Sequence, residues 1–440
     1  MIYQPAIETM PVPQLRALQS ERFVQLVRYM YERQPFYRRQ WDAHGIDPRS
    51  VKSIDDIARF PFTLKSHLRD EYPFGLMAVP PSELIRIHAS SGTTGKPTVV
   101  GYTRADIDMF AEVAARSLCC AGALPGMKLH NAYGYGLFTG GLGLHYGGER
   151  LGMAVIPVSG GMTDRQLMLL QDFAPEVISC TPSYALTLAE AIRERGIPLE
   201  QFKLRYAILG AEPWTETTRR AVEAGLGVTA TNIYGLSEIV GPGVSQEDFE
   251  EKGGSHIWED HFFPEIVHPD TGEPQPYGTE GILVFTTLTK QGIPLMRYRT
   301  NDICSLYYDS DSKRTHVKMS PIKGRSDDML IIRGVNLFHT QVEAVLHHLP
   351  EFSANYQLII YREGALDAVE VLVELSEDVY AAKGARLPVN DEFLDGVKRR
   401  LEKKIKDNIG LSMRITLADR DALPRSEGGK LKRILDRRGG

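Results

Sequence analysis

Residues 90–96 combine hydroxyl groups, glycines and a positive charge in a way that suits the binding of phosphate groups. Two glycines let the backbone approach a ligand closely, while four hydroxyls, the backbone N–H groups and Lys96 can interact with phosphate oxygens. The segment is not a Walker A loop, because two residues separate its glycines and Pro97 follows the lysine. A flexible hairpin turn is the alternative, but a turn rarely needs so many hydroxyls. The predicted phosphate-binding residues are Ser90, Ser91, Gly92, Thr93, Thr94, Gly95 and Lys96.

A second candidate for chemistry is Lys430, which ends the run Gly428-Gly429-Lys430. A long cation after two glycines can swing into a site and neutralise charge that develops during a reaction. The alternative is a solvated lysine, because residues 391–440 hold 14 Lys and Arg against 9 Asp and Glu. Composition favours a solvated helix face for most of these cations and leaves open that some of them meet a phosphorylated ligand.

Short apolar runs alternate with helical patterns through much of the chain. The runs 153–156, 177–179 and 206–209 end at turn-forming residues, and helical periodicity between them covers 165–173 and 183–195. This alternation predicts βαβ units and a largely parallel sheet. A further helix is predicted at 14–34, and the turns and alternating strands of 264–308 indicate a β-rich subdomain.

The pattern changes again near Gly324. Two strands at 357–361 and 368–375, and an amphipathic helix at 391–408, indicate a small α+β domain. The predicted organisation is a large α/β domain at residues 1–325 and a small domain at residues 326–440. Two domains fit a length of 440 residues, because single cores rarely grow beyond about 250–300 residues.

The bulk composition argues against several classes of protein. A hydrophobic share of 42%, a charged share of 24% and a net charge of −5 are ordinary for a globular protein and carry no nucleic-acid footprint. Four scattered cysteines are too few for a disulfide scaffold. Because neither a signal peptide nor a bilayer-spanning apolar run is evident, we expect no membrane partner and a cytoplasmic location.

Five motifs, in order along the chain, resemble those of the adenylate-forming superfamily of acyl-CoA synthetases, peptide-synthetase adenylation domains and luciferases. They are the loop at 90–97, Tyr234-Gly235-Leu236-Ser237-Glu238, Tyr298-Arg299-Thr300-Asn301-Asp302, Gly324-Arg325-Ser326-Asp327-Asp328 and Pro424-Arg425-Ser426-Glu427-Gly428-Gly429-Lys430. Within the superfamily, the chain is similar to the phenylacetate–CoA ligases at 35–37, 61–63, 132–141, 210–214, 256–262 and 333–336. The resemblance covers essentially the whole chain.

The resemblance implies a fold and a reaction. The fold is α/β, a large adenylate-forming domain with mixed and parallel sheets flanked by helices, a β-rich subdomain, and a small, mobile α+β domain. The reaction activates a carboxylic acid, with phenylacetate as the leading substrate, through an acyl-adenylate made from ATP, and transfers the acyl group to coenzyme A. The alternatives are another aryl acid, such as a hydroxyphenylacetate or a benzoate, transfer to a carrier-protein thiol or another acceptor, and a catalytically silent nucleotide-binding regulator.

The motifs carry implied roles over to individual residues. Glu238 is the expected Mg²⁺ ligand with ATP, since Mg²⁺ takes one or two carboxylates beside phosphate oxygens, and the alternative is a helix start. Asp302 is expected to bind both ribose hydroxyls, with a turn aspartate as the alternative. The other implied ATP-binding residues are Gly210, Ala211, Glu212, Pro213, Tyr234, Gly235, Ser237 and Arg325.

The resemblance implies that Lys430 is the catalytic residue that holds the substrate carboxylate and the α-phosphate together. Because the small domain must turn before coenzyme A can enter, Asp327 is the expected hinge, and Arg333 and Gly334 are expected to face coenzyme A. Aromatic walls and glycines suit a flat aryl group, although core packing is the alternative. The implied acid-pocket residues are Tyr133, Phe138, Gly140 and Pro242, with Tyr234 nearby.

Some relatives carry a small metal site, with one Cys before the His-Ile-Trp motif and a Cys-x-Cys after it. The corresponding positions here are Asp248, Ser310 and Ser312, so the strongest Zn²⁺ ligands are missing. We therefore expect no structural zinc, while Asp248 with His256 could bind a metal weakly. The oligomeric state is open, with a homodimer among the alternatives.

Overall fold

The computed structural model describes residues 1–89, 97–326, 330–332, 335–363, 366–384, 386–388, 391–420, 422–426 and 431–438, with the backbone alone at 331, 335 and 336. The helices are α1 (Pro5–Glu8), α2 (Val12–Arg33), α3 (Pro35–Ala43), α4 (Lys65–Asp70), α5 (Arg104–Cys120), α6 (Gly140–Leu151), α7 (Thr163–Phe173), α8 (Pro182–Glu194), α9 (Glu216–Leu226), α10 (His339–His347), α11 (Glu377–Ala382) and α12 (Glu392–Ile409). The strands are β1 (Arg86–Ala89), β2 (Val99–Tyr102), β3 (Lys128–Asn131), β4 (Ala154–Ile156), β5 (Val177–Cys180), β6 (Tyr206–Gly210), β7 (Thr229–Leu236), β8 (Gly241–Glu247), β9 (Ser255–Ile257), β10 (Phe262–Val267), β11 (Gly281–Thr287), β12 (Tyr298–Cys304), β13 (Leu306–Tyr307), β14 (Lys318–Met319), β15 (Gly324–Arg325), β16 (Leu330–Ile332), β17 (Val335–Leu337), β18 (Phe352–Glu363), β19 (Leu366–Leu375), β20 (Arg414–Ala418) and β21 (Ile434–Asp436).

The largest sheet has the strand order β13-β14-β9-β8-β7-β6-β5-β3-β4. Strands β4, β3, β5, β6 and β7 run parallel, and α6, α7, α8 and α9 connect them in chain order. All four residues of β5 are buried, as expected for a strand covered by helices on both faces. The predicted α/β fold with βαβ units is therefore confirmed.

A second sheet, in the order β10-β11-β12-β15, is antiparallel throughout. It covers most of the segment for which the sequence indicates a β-rich subdomain. Every residue of β10 and β11 is buried, so the sheet packs on both faces. Its strand β12 carries Asp302, which pairs in register with Arg325 on β15.

The carboxyl-terminal part folds around its own sheet, in the order β20-β19-β18-β21. Helix α12 begins at the cap residue Asp391, whose side chain accepts from Leu394 N, and ends at Gly410 in the left-handed conformation. The apolar face of α12 joins a hydrophobic cluster that runs from Ile332 to Ile415. This small α+β unit confirms the predicted fold class.

The parallel strands place their carboxyl ends along one edge of the large sheet, where ligands bind in open α/β folds. The segments that leave β3, β5, β6 and β7 therefore meet at this edge, although they lie far apart in the sequence. Among the helices that the structure describes, we find none with the length and apolarity needed to cross a bilayer.

Candidate active site

The end of β6 and the segment that follows it carry four of the predicted ATP-binding residues, Gly210, Ala211, Glu212 and Pro213. A Cβ atom on Gly210 would lie 2.1 Å from Ile233 O, so the strand end requires glycine. The next residue, Ala211, has a φ angle of 73°, which turns the chain sharply toward the edge. Ser183 Oγ donates to Glu212 Oε1 at 2.5 Å. Burial raises the pKa of Glu212, and the Ser183 hydrogen bond opposes that rise.

The structure brings together three of the predicted ATP-binding residues, among them Asp302, which is expected to bind ribose. Tyr234 Oη donates to Asp302 Oδ2 at 2.6 Å, and Arg325 Nη1 donates to Asp302 Oδ1 at 3.3 Å. Burial raises the pKa of Tyr234, and the negative charge of Asp302 adds to that rise, so the tyrosine stays a donor at neutral pH. These contacts hold the Asp302 carboxylate in one orientation, which a group that binds a diol requires.

Glu238 lies in the turn between β7 and β8 rather than at the start of a helix. Its side chain is almost fully buried, and its Oε1 atom accepts from Tyr298 Oη at 3.3 Å. Lys65 Nζ lies 3.6 Å from the same oxygen, and Lys290 Nζ donates to the main-chain oxygen of Glu238 at 2.9 Å. Burial lowers the pKa of Lys290 to about 8. A buried carboxylate in this position suits a Mg²⁺ ion held together with phosphate oxygens.

Lys65 reaches Glu238 because the segment before α4 is fastened to β12. Thr63 N donates to Arg297 O at 3.1 Å, and Arg299 N donates to Thr63 O at 3.0 Å. The sequence patterns above do not identify either cation beside Glu238. Lys65 follows the matched Pro61-Phe62-Thr63 by two positions, which is a weak signal, and Lys290 lies in no motif.

The two strands that flank the predicted phosphate loop, β1 and β2, pair as an antiparallel hairpin. Residues 90–96 themselves lie outside the described residues, so their role stays a prediction. The described end of β1 is held at the site, because Ala89 N donates to Leu137 O at 3.0 Å. The end of β1 therefore lies beside the segment that carries the predicted acid pocket.

Part of the predicted acid pocket is brought to the same edge. Thr139 Oγ1 and Ser237 Oγ are 3.1 Å apart, which joins the segment of Phe138 and Gly140 to the β7–β8 turn. A Cβ atom on Gly140 would lie 2.4 Å from the Phe138 ring, which is partly exposed. Tyr133, in contrast, is buried in a hydrophobic cluster, which fits the core-packing alternative. Its place in the acid pocket stays a prediction, as do those of Phe138 and Gly140.

The β7–β8 turn has no room for a side chain at Gly235, which pairs with Pro242. A Cβ atom there would lie 1.8 Å from Gly241 O and 2.8 Å from Pro242 Cα. We expect Gly235→Ala to cost about 1–3 kcal/mol of stability and to lower the melting temperature by about 2–10 °C. Thermal unfolding followed by circular dichroism measures this change. Gly136→Ala is the matched control, because a Cβ atom there meets nothing within 4 Å, and equal shifts in the two variants would contradict the prediction.

Four further predicted residues lie outside the described residues: Asp327, Arg333, Gly334 and Lys430. The chain is described up to Ser426, whose hydroxyl lies 3.5 Å from Thr181 Oγ1. Thr181 follows β5 at the edge where the other site residues meet and caps α8. The segment that leads toward Lys430 thus reaches the site.

The suggested weak metal site at Asp248 and His256 is already occupied by protein partners. Arg314 pairs with Asp248, and His256 Nε2 lies 3.1 Å from Ser312 Oγ. Burial lowers the pKa of His256 to about 4. A metal ion would have to displace the Arg314 guanidinium from Asp248.

Within the described ranges, one cluster has three groups close enough to share a metal ion, Glu112, Asp260 and His261. Arg116 donates to both carboxylate oxygens of Asp260, at 2.8 and 3.1 Å, and also pairs with Glu112. The guanidinium therefore supplies the positive charge that these carboxylates need, and we assign the cluster no metal.

The family model described as "AMP-binding enzyme" matches residues 12–288, and the model described as "AMP-binding enzyme C-terminal domain" matches residues 334–438. Together with the convergence of Asp302, Glu238 and Glu212 at one sheet edge, these matches define the class of AMP-binding enzymes.

Relatives that match over nearly their full length show to which family within this class the chain belongs. The chain is 61% identical over 445 residues to the phenylacetate-coenzyme A ligase of Thermus thermophilus, covering 100% of both chains. It is 49% identical over 433 residues to the phenylacetate-coenzyme A ligase of Escherichia coli, covering 98% of this chain and 97% of the relative. The chain belongs to the phenylacetate–CoA ligase family of the adenylate-forming superfamily.

Solved structures of a more distant relative, 2-hydroxyisobutyryl-CoA ligase, include different arrangements. The postadenylation state in complex with R3-HIB-AMP is similar with a TM-score of 0.92, at 28% identity over 100% of this chain and 93% of that one. The thioesterification state, in complex with 2-HIB-AMP and CoA, has a TM-score of 0.72, at 29% identity over 99% and 92% of the two chains. The arrangement of the present chain is thus closer to the postadenylation state.

Proposed function

We propose that this protein is an AMP-forming phenylacetate–CoA ligase. A carboxylate oxygen of phenylacetate attacks the α-phosphorus of ATP, and pyrophosphate leaves as the mixed anhydride forms. The thiol sulfur of coenzyme A then attacks the acyl carbon, AMP leaves, and the thiol proton is released. The observation that carries this proposal is the 61% identity to a phenylacetate-coenzyme A ligase over the full length of both chains.

The geometry of the site supports the first half-reaction, which is the formation of the acyl-adenylate. Asp302 would accept hydrogen bonds from both ribose hydroxyls while Tyr234 and Arg325 hold it in place. Glu238 would hold Mg²⁺, which shields the phosphate charges when it is bound. Lys65 lies close enough to Glu238 to contribute a second positive charge near the phosphates. Preorganised charges of this kind stabilise the negative charge that develops on the leaving pyrophosphate.

A screen of pyrophosphate release tests the proposal. Phenylacetate should give the fastest release in a panel that also contains benzoate, hydroxyphenylacetate, indoleacetate and short fatty acids. Mass spectrometry of a reaction with coenzyme A should then detect phenylacetyl-CoA. A faster reaction with another aryl acid, or transfer only to a carrier-protein thiol, would favour the corresponding alternative. If no acid in the panel releases pyrophosphate, the proposed function is wrong.

We further propose that the boundary between the two domains lies between residues 325 and 326. The separate hydrophobic cluster of the carboxyl-terminal part supports this position. A cytoplasmic location stays a prediction from the cysteine content, which the four free, buried thiols fit.

Asp327→Pro should spare adenylation and block thioester formation. Proline fixes φ and removes the backbone N–H at the proposed hinge, so the chain can no longer make the backbone change that rotation requires. Pyrophosphate release and coenzyme A ester formation are measured separately on the same preparation. Asp327→Ala is the control, because it removes the carboxylate but leaves the backbone free. Formation of the coenzyme A ester at the normal rate by the proline variant would contradict the assignment of Asp327 as the hinge.

A further inference from the structure

We call residues 1–325 the large part and residues 326–440 the carboxyl-terminal part. Helix α9 of the large part and helix α10 of the carboxyl-terminal part are joined through a buried carboxylate. Glu343 on α10 is 7% exposed, and its Oε1 atom accepts from Thr215 Oγ1 at 3.1 Å and from Thr218 Oγ1 at 2.6 Å. Thr215 is also the cap residue of α9. The negative charge therefore lies at the amino end of this helix, where the helix dipole favours it. Glu343 Oε2 accepts from Tyr356 Oη within its own part at 3.2 Å.

Helix α8 makes a second set of polar contacts with the carboxyl-terminal part. Glu190 Oε1 accepts from Asn355 Nδ2 at 3.0 Å, and Arg425 Nε lies 3.6 Å from Glu190 Oε2. Arg425 also pairs with Glu374, with Nη2–Oε2 at 2.7 Å. Arg425 is thus held by a carboxylate from each side of the interface. It directly precedes Ser426, which contacts Thr181 at the site.

The end of α8 adds a group of ion pairs at the edge of the interface. Arg193 pairs with Glu377, and Arg420 bridges Glu194 and Glu377. These side chains are partly exposed, so each pair alone contributes little. These pairs therefore lie around the interface, where Glu343 makes the buried contacts and the half-buried Glu190 adds a second link between the two parts.

These contacts belong to one orientation of the two parts. The described orientation resembles the postadenylation state of a relative whose thioesterification state differs from it. A rotation that moves the carboxyl-terminal part away from α8 and α9 would take Glu343 from both threonines at once. It would also separate Glu190 from Asn355 and Arg425. The same contacts therefore favour one orientation and must be lost before the other forms.

We propose that Glu343 and Glu190 are positioning residues for the adenylation step. They dock the carboxyl-terminal part on α9 and α8, so that Ser426, four positions before Lys430, is held beside Thr181. Neither residue is among the predicted substrate-binding residues. This inference rests on the proposed function, because it assigns the two half-reactions to two orientations of the same parts.

The test compares the two half-reactions in Glu343→Ala. Phenylacetate-dependent pyrophosphate release should fall about tenfold or more, since hydrogen bonds to a charged group are among the stronger ones. The loss should appear in kcat, with KM for ATP little changed, because the ATP-binding residues lie elsewhere. Conversion of supplied phenylacetyl-adenylate and coenzyme A should stay constant or rise. An equal fall of both half-reactions, or no change in their ratio, would overturn the proposal.

Variants on the α9 side of the interface break the same contact, so the proposal can still be tested if Glu343→Ala does not fold. Thr215→Ala combined with Thr218→Val should reproduce the loss, and adding Glu343→Ala should cause little further loss, because the same contact is already broken. Fully additive losses would contradict the proposal. Tyr356→Phe is the matched control, since it removes a hydrogen bond to Glu343 within the carboxyl-terminal part and should leave the ratio of half-reactions unchanged.

Hydrogen exchange measures the docking of the carboxyl-terminal part on α9 without any catalysed reaction. Backbone amides at 215–219 should exchange faster in Glu343→Ala than in the wild-type protein, and unchanged exchange would overturn the positioning role. A wild-type protein that releases no pyrophosphate with any acid would instead refute the proposed function. The two failures are therefore distinguishable.

Discussion

Lys430→Ala will abolish adenylate formation while it leaves the conversion of supplied phenylacetyl-adenylate and coenzyme A largely intact. The lysine is expected to hold the attacking carboxylate and the α-phosphate together as negative charge builds up between them. Loss of one preorganised donor of this kind typically lowers the rate by about 10²–10³. Pyrophosphate release and thioester formation, each followed with its own substrates, measure the two effects.

The neighbouring cation Lys432 provides a control within the same basic segment. Its side chain is exposed, and Lys432→Ala should leave both half-reactions near the wild-type rate. A comparable loss in Lys432→Ala would mean that the general positive charge of the segment matters, rather than one lysine. If Lys430→Ala lowered both half-reactions equally, the role assigned to Lys430 would be refuted.

Glu238→Gln will lower pyrophosphate release by about 10²-fold and raise the Mg²⁺ concentration needed for half-maximal rate. The expected size of the rate loss follows from the removal of a charged group that acts on the phosphates. Glutamine keeps the shape of the side chain and can still accept from Tyr298 Oη, so packing in the β7–β8 turn is preserved. It removes the negative charge that would bind Mg²⁺, and it leaves Lys65 without its partner. Titrations of Mg²⁺ at fixed ATP and phenylacetate measure both quantities.

Glu273→Gln serves as the matched control for this substitution, because Glu273 is an exposed carboxylate. It should change neither the rate nor the Mg²⁺ requirement. A Glu238→Gln enzyme with a wild-type Mg²⁺ dependence would show that Glu238 does not bind the metal ion. The carboxylate would then act only through its contacts with Tyr298, Lys65 and the turn.

Local patterns in the sequence sufficed for the fold class, and they single out the candidate residues of the nucleotide site. Apolar runs of three or four residues between helical patterns predict the parallel strands, because a strand that is buried on both faces is mostly apolar. The predicted helix at 14–34 is observed as α2, and that at 391–408 as α12. Glu238 and Asp302 were identifiable because each lies in a short motif whose neighbours carry the same information.

Tertiary structure alone decided which side chains surround these groups. Tyr234 and Asp302 are 68 residues apart in sequence, and Lys290 and Glu238 are 52 apart, yet both pairs are in hydrogen-bond contact. Thr218 and Glu343 are 125 residues apart and meet at the interface between α9 and α10. Sheet pairing and the docking of separate segments produce such contacts, and neither leaves a periodic or local signature. The sequence by itself therefore determined the class of chemistry and the local elements, while the packing of distant segments determined the partners that hold each group in place.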